Sequence, residues 1–225
     1  MLVAIHQLHY LPWLRYFEKI ARSDVFIVLD NIQFTKNGWQ NRNMVKTANG
    51  VVLLTVPVQA FAGCRLDQVV INDKAPWRKK HWRTIAQAYG KAPYFDDHAP
   101  FLEGVYANSW SCLNDLNRYM LEYFTKALGV DTRLVYGSDL RVSGAASERL
   151  INLIRAVGGD EYYTGEYAAR TYLDVPRFEC AGIPIRVQEW ESAEYPQLHG
   201  EFVADLSIVD LLLNTGPESS SILLK

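Results

Sequence analysis

The sequence has 225 residues, enough for one substantial hydrophobic core. Hydrophobic residues make up 49% and charged residues 21%, a globular profile that excludes an intrinsically disordered chain. The formal net charge is -2 and the pI is near 6.2, without the basic excess that neutralises phosphates, so no DNA partner is expected.

Met1 to His6 reads as a strand and not as a secretory signal, since it has no basic n-region and its apolar run ends at His6. No uncharged apolar stretch approaches the roughly 20 residues that span a bilayer. A cytoplasmic protein without a transmembrane segment is therefore expected. Cys64, Cys112 and Cys180 are widely spaced and form no C-x-x-C pair, so reduced thiols are expected, with a catalytic Cys112 or Cys180 as the alternative. Six Trp and thirteen Tyr supply rings that either line small-molecule pockets or fill a core.

Leu2–His6 is an apolar, β-branched run and reads as a buried strand. Pro12 opens a helix over Trp13–Arg22, because proline suits a first helical turn. Val25–Leu29 is a second buried strand, and strand, helix, strand in so short a span predicts a parallel pair. Asn31–Asn43 is a polar loop studded with aromatics. Asn49-Gly50 between Met44–Lys46 and Val51–Val56 predicts an inserted hairpin, which Leu66–Ile71 is expected to join. Trp77–Tyr89 and Asn114–Ala127 have helical spacing. Beyond them Arg133–Tyr136, Glu161–Tyr163 and Ile183–Glu189 read as strands. Ser147–Val157, Tyr167–Leu173, Val175–Ala181 and Leu206–Asn214 read as helices. This alternation predicts one α/β domain over 1–225, with a mostly parallel central sheet flanked by helices. In such sheets ligands sit beyond the carboxyl ends of the strands, here after Ile5, Leu29, Tyr136 and Tyr163.

Four clusters carry chemistry at these places. His6-Gln7-Leu8-His9-Tyr10-Leu11-Pro12-Trp13 joins a strand end to a helix start, where an imidazole binds a phosphate or moves a proton near neutral pH. The bland alternative is two hydrogen-bonded structural histidines. Asp30-Asn31-Ile32-Gln33-Phe34 with Trp39-Gln40-Asn41-Arg42 offers a carboxylate, amides, an aromatic platform and a guanidinium fork suited to phosphate or carboxylate. Ordinary turn chemistry is the alternative. Trp77 to Arg83 interleaves Lys80 and His81 with two Trp, either to grip a phosphate-bearing ligand or as a solvated helix with a buried aromatic side. Tyr163-Thr164-Gly165 leading to Arg170 is another strand-to-helix corner, at which Gly165 permits close approach of a ligand.

The spacing of phosphate-binding G-x-G-x-x-G and G-x-x-x-x-G-K-[ST] loops, of G-x-S-x-G and of H-E-x-x-H does not occur, which disfavours a dinucleotide site, a P-loop, a serine hydrolase and a metalloprotease. His6-x-x-His9 partly matches the H-x-G-H loop of nucleotidyltransferases, with Leu8 in place of the glycine. Metal ligation by His6 and His9 lacks a third ligand, so no metal is expected.

The stretch His6-Gln7-Leu8-His9-Tyr10-Leu11-Pro12-Trp13-Leu14-Arg15-Tyr16-Phe17-Glu18-Lys19 resembles the opening of the WbqC-like family. Trp39-Gln40-Asn41-Arg42-Asn43, Trp77 with Lys80-His81, Gly165 with Arg170-Thr171-Tyr172-Leu173-Asp174, and Leu206–Leu212 continue the resemblance. Leu8 and Arg15 depart from the family's usual Pro and Gly. The resemblance implies a place in O-antigen and other surface-polysaccharide biosynthesis, as a glycine or acyl transferase acting on a nucleotide-linked amino sugar. On that basis His6 is the expected base, Asp30 its orienting partner, and Asn41 or backbone N–H groups the oxyanion donors. Arg42, Lys80 and Arg170 would hold phosphates, and Tyr10, Trp13 and Trp39 would stack on base or sugar. Gln7, His9, Gln33, His81 and Gly165 complete the expected binding set. An acyl or aminoacyl thioester is the expected donor and an acyl carrier protein a candidate partner. Two rival functions remain: a Mg²⁺-dependent nucleotidyl or adenylyl transferase, and a non-catalytic binding module of a polysaccharide assembly complex.

Overall fold

Val25 to Val28 is apolar at every position because both faces of its strand are buried, the mark of a parallel sheet covered on two sides. The computed structural model describes residues 1–225 and divides them into two compact units. The first comprises residues 1–7, 18–31 and 131–191, the second residues 8–17, 32–130 and 192–225. No helix is long and apolar enough to cross a membrane.

The first unit is built on five strands: β1 (Leu2–Gln7), β2 (Val25–Leu29), β7 (Arg133–Tyr136), β8 (Glu161–Gly165) and β9 (Ile185–Gln188). Their order across the sheet is β7-β2-β1-β8-β9, and every pair is parallel. The fold is therefore α/β with a parallel central sheet, as the alternation of elements predicts. The chain starts in the middle of the sheet, fills one edge, and returns to the middle to fill the other. The reversal falls between β1 and β8.

Val3, Ile5, Val25, Ile27 and Tyr162 project to one face and pack against Ile151, Leu153 and Ile154 of helix α5 (Ala146–Ala156) and Phe178 of α7 (Val175–Cys180). Alternation sends Ala4, His6, Phe26, Tyr163 and Gly165 to the other face. There the Tyr163 hydroxyl reaches Glu18 of α1 (Leu14–Arg22). Gly159, which ends the α5 turn, has no room for a side chain, since a Cβ would overlap Val3 and Ile154. The remaining element of this unit is the short helix α6 (Glu166–Thr171).

The second unit carries the antiparallel hairpin β3 (Arg42–Thr47) and β4 (Gly50–Thr55), closed at Gly50 with φ +99°. Leu66–Ile71 does not extend this hairpin. Leu66–Gln68 curls into a 3₁₀ turn, the Arg65 N–H donating to Gln68 Oε1 at 3.0 Å, and buries Leu66. Only β6 (Val70–Ile71) stays extended, and it pairs with β5 (Val58–Gln59) as a separate ribbon. Helices α2 (Trp77–Tyr89), α3 (Phe95–Ala107), α4 (Leu113–Ala127), α8 (Ile208–Thr215) and α9 (Ser219–Leu223) complete the unit. Helix α3 has no counterpart among the expected elements. Pro100 lies inside it, and an interior proline removes a helical donor and breaks the sequence signal.

Candidate functional site

Of the four strand ends expected to hold ligands, two are tied together. Asp30 follows β2 and is fully buried. Its carboxylate accepts from the Ser138 N–H at 2.8 Å and the Ser138 hydroxyl at 2.7 Å, in the loop after β7. Arg149 donates to Asn31 Oδ1 at 2.6 Å, and the Gly137 N–H donates to Val28 O at 2.8 Å. This end of the sheet is laced by charge-assisted bonds.

The other two ends part. The β1–β8 ladder runs from Leu2–Glu161 to Ala4–Tyr163 and stops. Each strand continues on its outer neighbour, β1 with β2 to Gln7–Leu29 and β8 with β9 to Gly165–Gln188. Ile5-His6-Gln7 and Thr164-Gly165 are thus not laddered to each other, at the reversal of strand order where open α/β sheets take their ligands. His6 and Gln7 are half-buried. His6 Nδ1 lies 3.2 Å from Gln7 O, a contact that favours the tautomer with the proton on Nδ1.

Beside these strand ends lies a polar cluster absent from the expected set. Glu18 is 2% exposed; Tyr163 Oη donates to its two oxygens at 2.9 and 3.0 Å, Gln188 Nε2 donates to Oε2, and Arg22 Nε stands 3.4 Å from Oε1. Burial, then the neighbouring carboxylate, push the Tyr163 phenol well above its ordinary range, so it stays a donor. Lys19 is 6% exposed. A Cβ on Gly165 would lie 3.7 Å from both Lys19 Nζ and Gln188 Oε1. Helical spacing groups Glu18 with Arg15 and Arg22, which reads as a solvent stripe, and only the arrival of β8 and β9 over Glu18 reveals it as buried. Among the expected residues, Arg170 stands exposed at the end of α6 and pairs with Glu166 at 2.6 Å.

In the second unit the His9 ring is 3% exposed and packs against Trp13 and Tyr16, with centroids at 5.1 and 5.6 Å. Trp13 meets Trp39 edge-on at 5.4 Å, and the Arg42 guanidinium lies 5.9 Å from the Trp39 ring. Arg42 also donates to Asn37 O. Trp39 is 36% exposed, so this trio presents an aromatic and cationic surface. The Asn41 side chain donates to Val56 O at 2.8 Å, while its buried Oδ1 accepts no bond. Gln33 bridges to Arg65, and its carbonyl accepts from Gln40 Nε2 at 3.4 Å. His81 is buried against Tyr10, its Nδ1 at 2.9 Å from the Tyr10 hydroxyl, which lies 2.7 Å from the Tyr106 hydroxyl. Burial, with Lys80 adding repulsion, lowers the His81 pKa to about 4. The imidazole is thus neutral and serves the core, as does Tyr10. Lys80 itself is exposed.

Residues 7–222 match the WbqC-like protein family. The chain belongs to that family. The match runs through both units of this WbqC-like chain and bears out the resemblance seen in its opening motif. The chain is also 37% identical over 222 residues to the uncharacterized protein Rv1507c of Mycobacterium tuberculosis, covering 96% of this chain and 95% of that one. No solved structure matches.

Proposed function

We propose that the protein is an N-acyl or aminoacyl transferase acting on the amine of a nucleotide-linked amino sugar in surface-polysaccharide (O-antigen) biosynthesis. The observation that carries this reading is the parting of β1 and β8 beyond Ala4–Tyr163, with His6 and Gln7 on one lip and Gly165 on the other. Clefts at such switch points suit nucleotides, and a half-buried imidazole at their edge suits proton transfer.

In the proposed reaction the sugar amine attacks the carbonyl carbon of a thioester donor, forming the C–N bond. His6 Nε2 accepts the proton that the nitrogen loses. Collapse of the tetrahedral intermediate breaks the C–S bond, and the proton passes from His6 to the leaving thiolate. Backbone N–H groups along the unladdered strand ends stabilise the transient oxyanion. Asp30 acts at a remove, fixing the loops after β2 and β7 through Ser138.

The test is mass spectrometry of mixtures holding uridine- or thymidine-diphosphate 4-amino sugars with acetyl or glycyl thioesters. The expected product is the sugar nucleotide heavier by one acyl group, formed by the wild type and lost in His6→Ala with the fold intact. Full activity of His6→Ala removes the proton-transfer role. Pyrophosphate release from ATP or CTP, with no acylated product, replaces the reading by a nucleotidyl transferase.

A further inference from the structure

Gly165 is a glycine that neither its backbone nor its neighbours require. Its φ of -74° and ψ of 152° are ordinary extended values open to any residue. A Cβ there would meet nothing nearer than 3.7 Å, an ordinary van der Waals separation. Glycine at a strand end gives up side-chain packing and carries an entropic penalty, and it marks places where a ligand or another backbone comes close. Apart from its ladder partner Gln188, nothing of the protein lies nearer to the missing side chain than ordinary van der Waals separation. The atoms nearest the missing side chain are Lys19 Nζ and Gln188 Oε1.

Lys19 is an unusual residue to find in that position. It is almost fully buried, in a helix whose neighbouring charge, Glu18, is also buried. Side chains on a helix lean toward its N-terminus, so Lys19 leans toward the carboxyl ends of the strands. Glu18 is clamped by Tyr163 from β8 and Gln188 from β9, which fixes this turn of α1 against the same strands. The result is an ammonium held in place beside a bare strand end at the sheet's switch point.

We infer that the open face of Gly165 seats the diphosphate of the nucleotide-linked substrate, with Lys19 as its charge partner and the Glu18–Tyr163–Gln188 cluster positioning that lysine. This rests on the proposed function and assigns its phosphate-binding group. A phosphate oxygen approaches the strand end where a side chain would stand and meets the ammonium in a buried setting, in which a charge-assisted bond is stronger than at the surface. Arg170, exposed and paired with Glu166, plays no part in this seat.

The test is calorimetric titration of the full chain with uridine, thymidine, adenosine, cytidine and guanosine diphosphates, beside pyrophosphate and the matching monophosphates. Wild type is expected to bind at least one diphosphate more tightly than its monophosphate. Lys19→Met is expected to weaken that binding about tenfold or more, as loss of a charged hydrogen bond does, while Lys19→Arg restores most of it. Gly165→Ala guards against a folding artefact: its melting temperature should equal the wild type's or exceed it, and its diphosphate binding should fall alongside that of Lys19→Met. Unchanged diphosphate affinity in both Lys19→Met and Gly165→Ala overturns the seat but leaves the nucleotide reading standing. Failure of the wild type to bind any of the nucleotides overturns that reading, and the seat with it.

Discussion

His6 and His81 lie in the two units and show how place decides the use of the same side chain. His6 lies near the end of β1, where the ladder to β8 has stopped, half-buried, with Nδ1 directed at a carbonyl. His81 lies in the middle of α2, closed in by Trp77, Tyr10 and Tyr106, with its pKa lowered by burial to about 4. The first is at an open end of a sheet, the second inside a packed core. The carboxylates Asp30 and Asp210 are both buried and both sit in sealed networks. Asp30 ties two loops of the first unit together. Asp210 accepts from Tyr89 at 2.7 Å and Tyr195 at 2.9 Å, and burial raises its pKa. The proposed proton transfer lies at the open end, while the sealed networks hold the packed parts together.

The largest effect that sharpens the contrast is at His6. His6→Ala should lower the rate of acyl transfer by about 10²–10⁴-fold, the usual contribution of a general base, with an unchanged melting temperature. An Asp210→Ala chain should behave in the opposite way. It leaves two buried tyrosine hydroxyls without their acceptor and should lose about 2–4 kcal/mol in urea denaturation.

His81 predicts a pH effect next. Its folded pKa of about 4 lies below the 6.5 of an ordinary imidazole, so folding favours the neutral ring. Its contribution is fully present above pH 6.5 and is lost as pH falls from 6.5 toward 4. A shift from 6.5 to about 4 corresponds to something on the order of 3 kcal/mol. In His81→Phe this part of the acid slope should vanish while Tyr10 keeps its bond to Tyr106. A slope equal to the wild type's between those pH values would show that other groups carry it. The smallest effect is at the surface: Lys80→Ala and Arg170→Ala should leave the urea midpoint where it is, because exposed charges and pairs add little.

Much of the fold is legible in the sequence because hydrophobic periodicity and punctuation agree. Trp77–Tyr89 and Arg133–Tyr136 fall on their expected bounds, and Asn49-Gly50 marks the hairpin. Leu66–Ile71 and Phe95–Ala107 escape for local reasons, a 3₁₀ turn in an apolar run and a proline within a helix. The proposed site is legible in part. His6, Gln7 and Gly165 follow from the rule about strand ends. Glu18 and Lys19 do not: Glu18 is held by Tyr163 and Gln188, 145 and 170 residues away in sequence, and Lys19 reaches Gly165 of the same distant strand as Tyr163. His81 matches the family motif, yet its neighbours give it a place in the core.

On this proposal the parted ends of β1 and β8 receive the ligand. Hydrogen–deuterium exchange of the full chain, with and without a uridine-diphosphate 4-amino sugar, tests it most directly. Protection concentrated at Ile5 to Gln7 and Thr164 to Glu166 is the predicted result. Protection confined to the loop around Trp39 and Arg42, with the two strand ends unchanged, would contradict it.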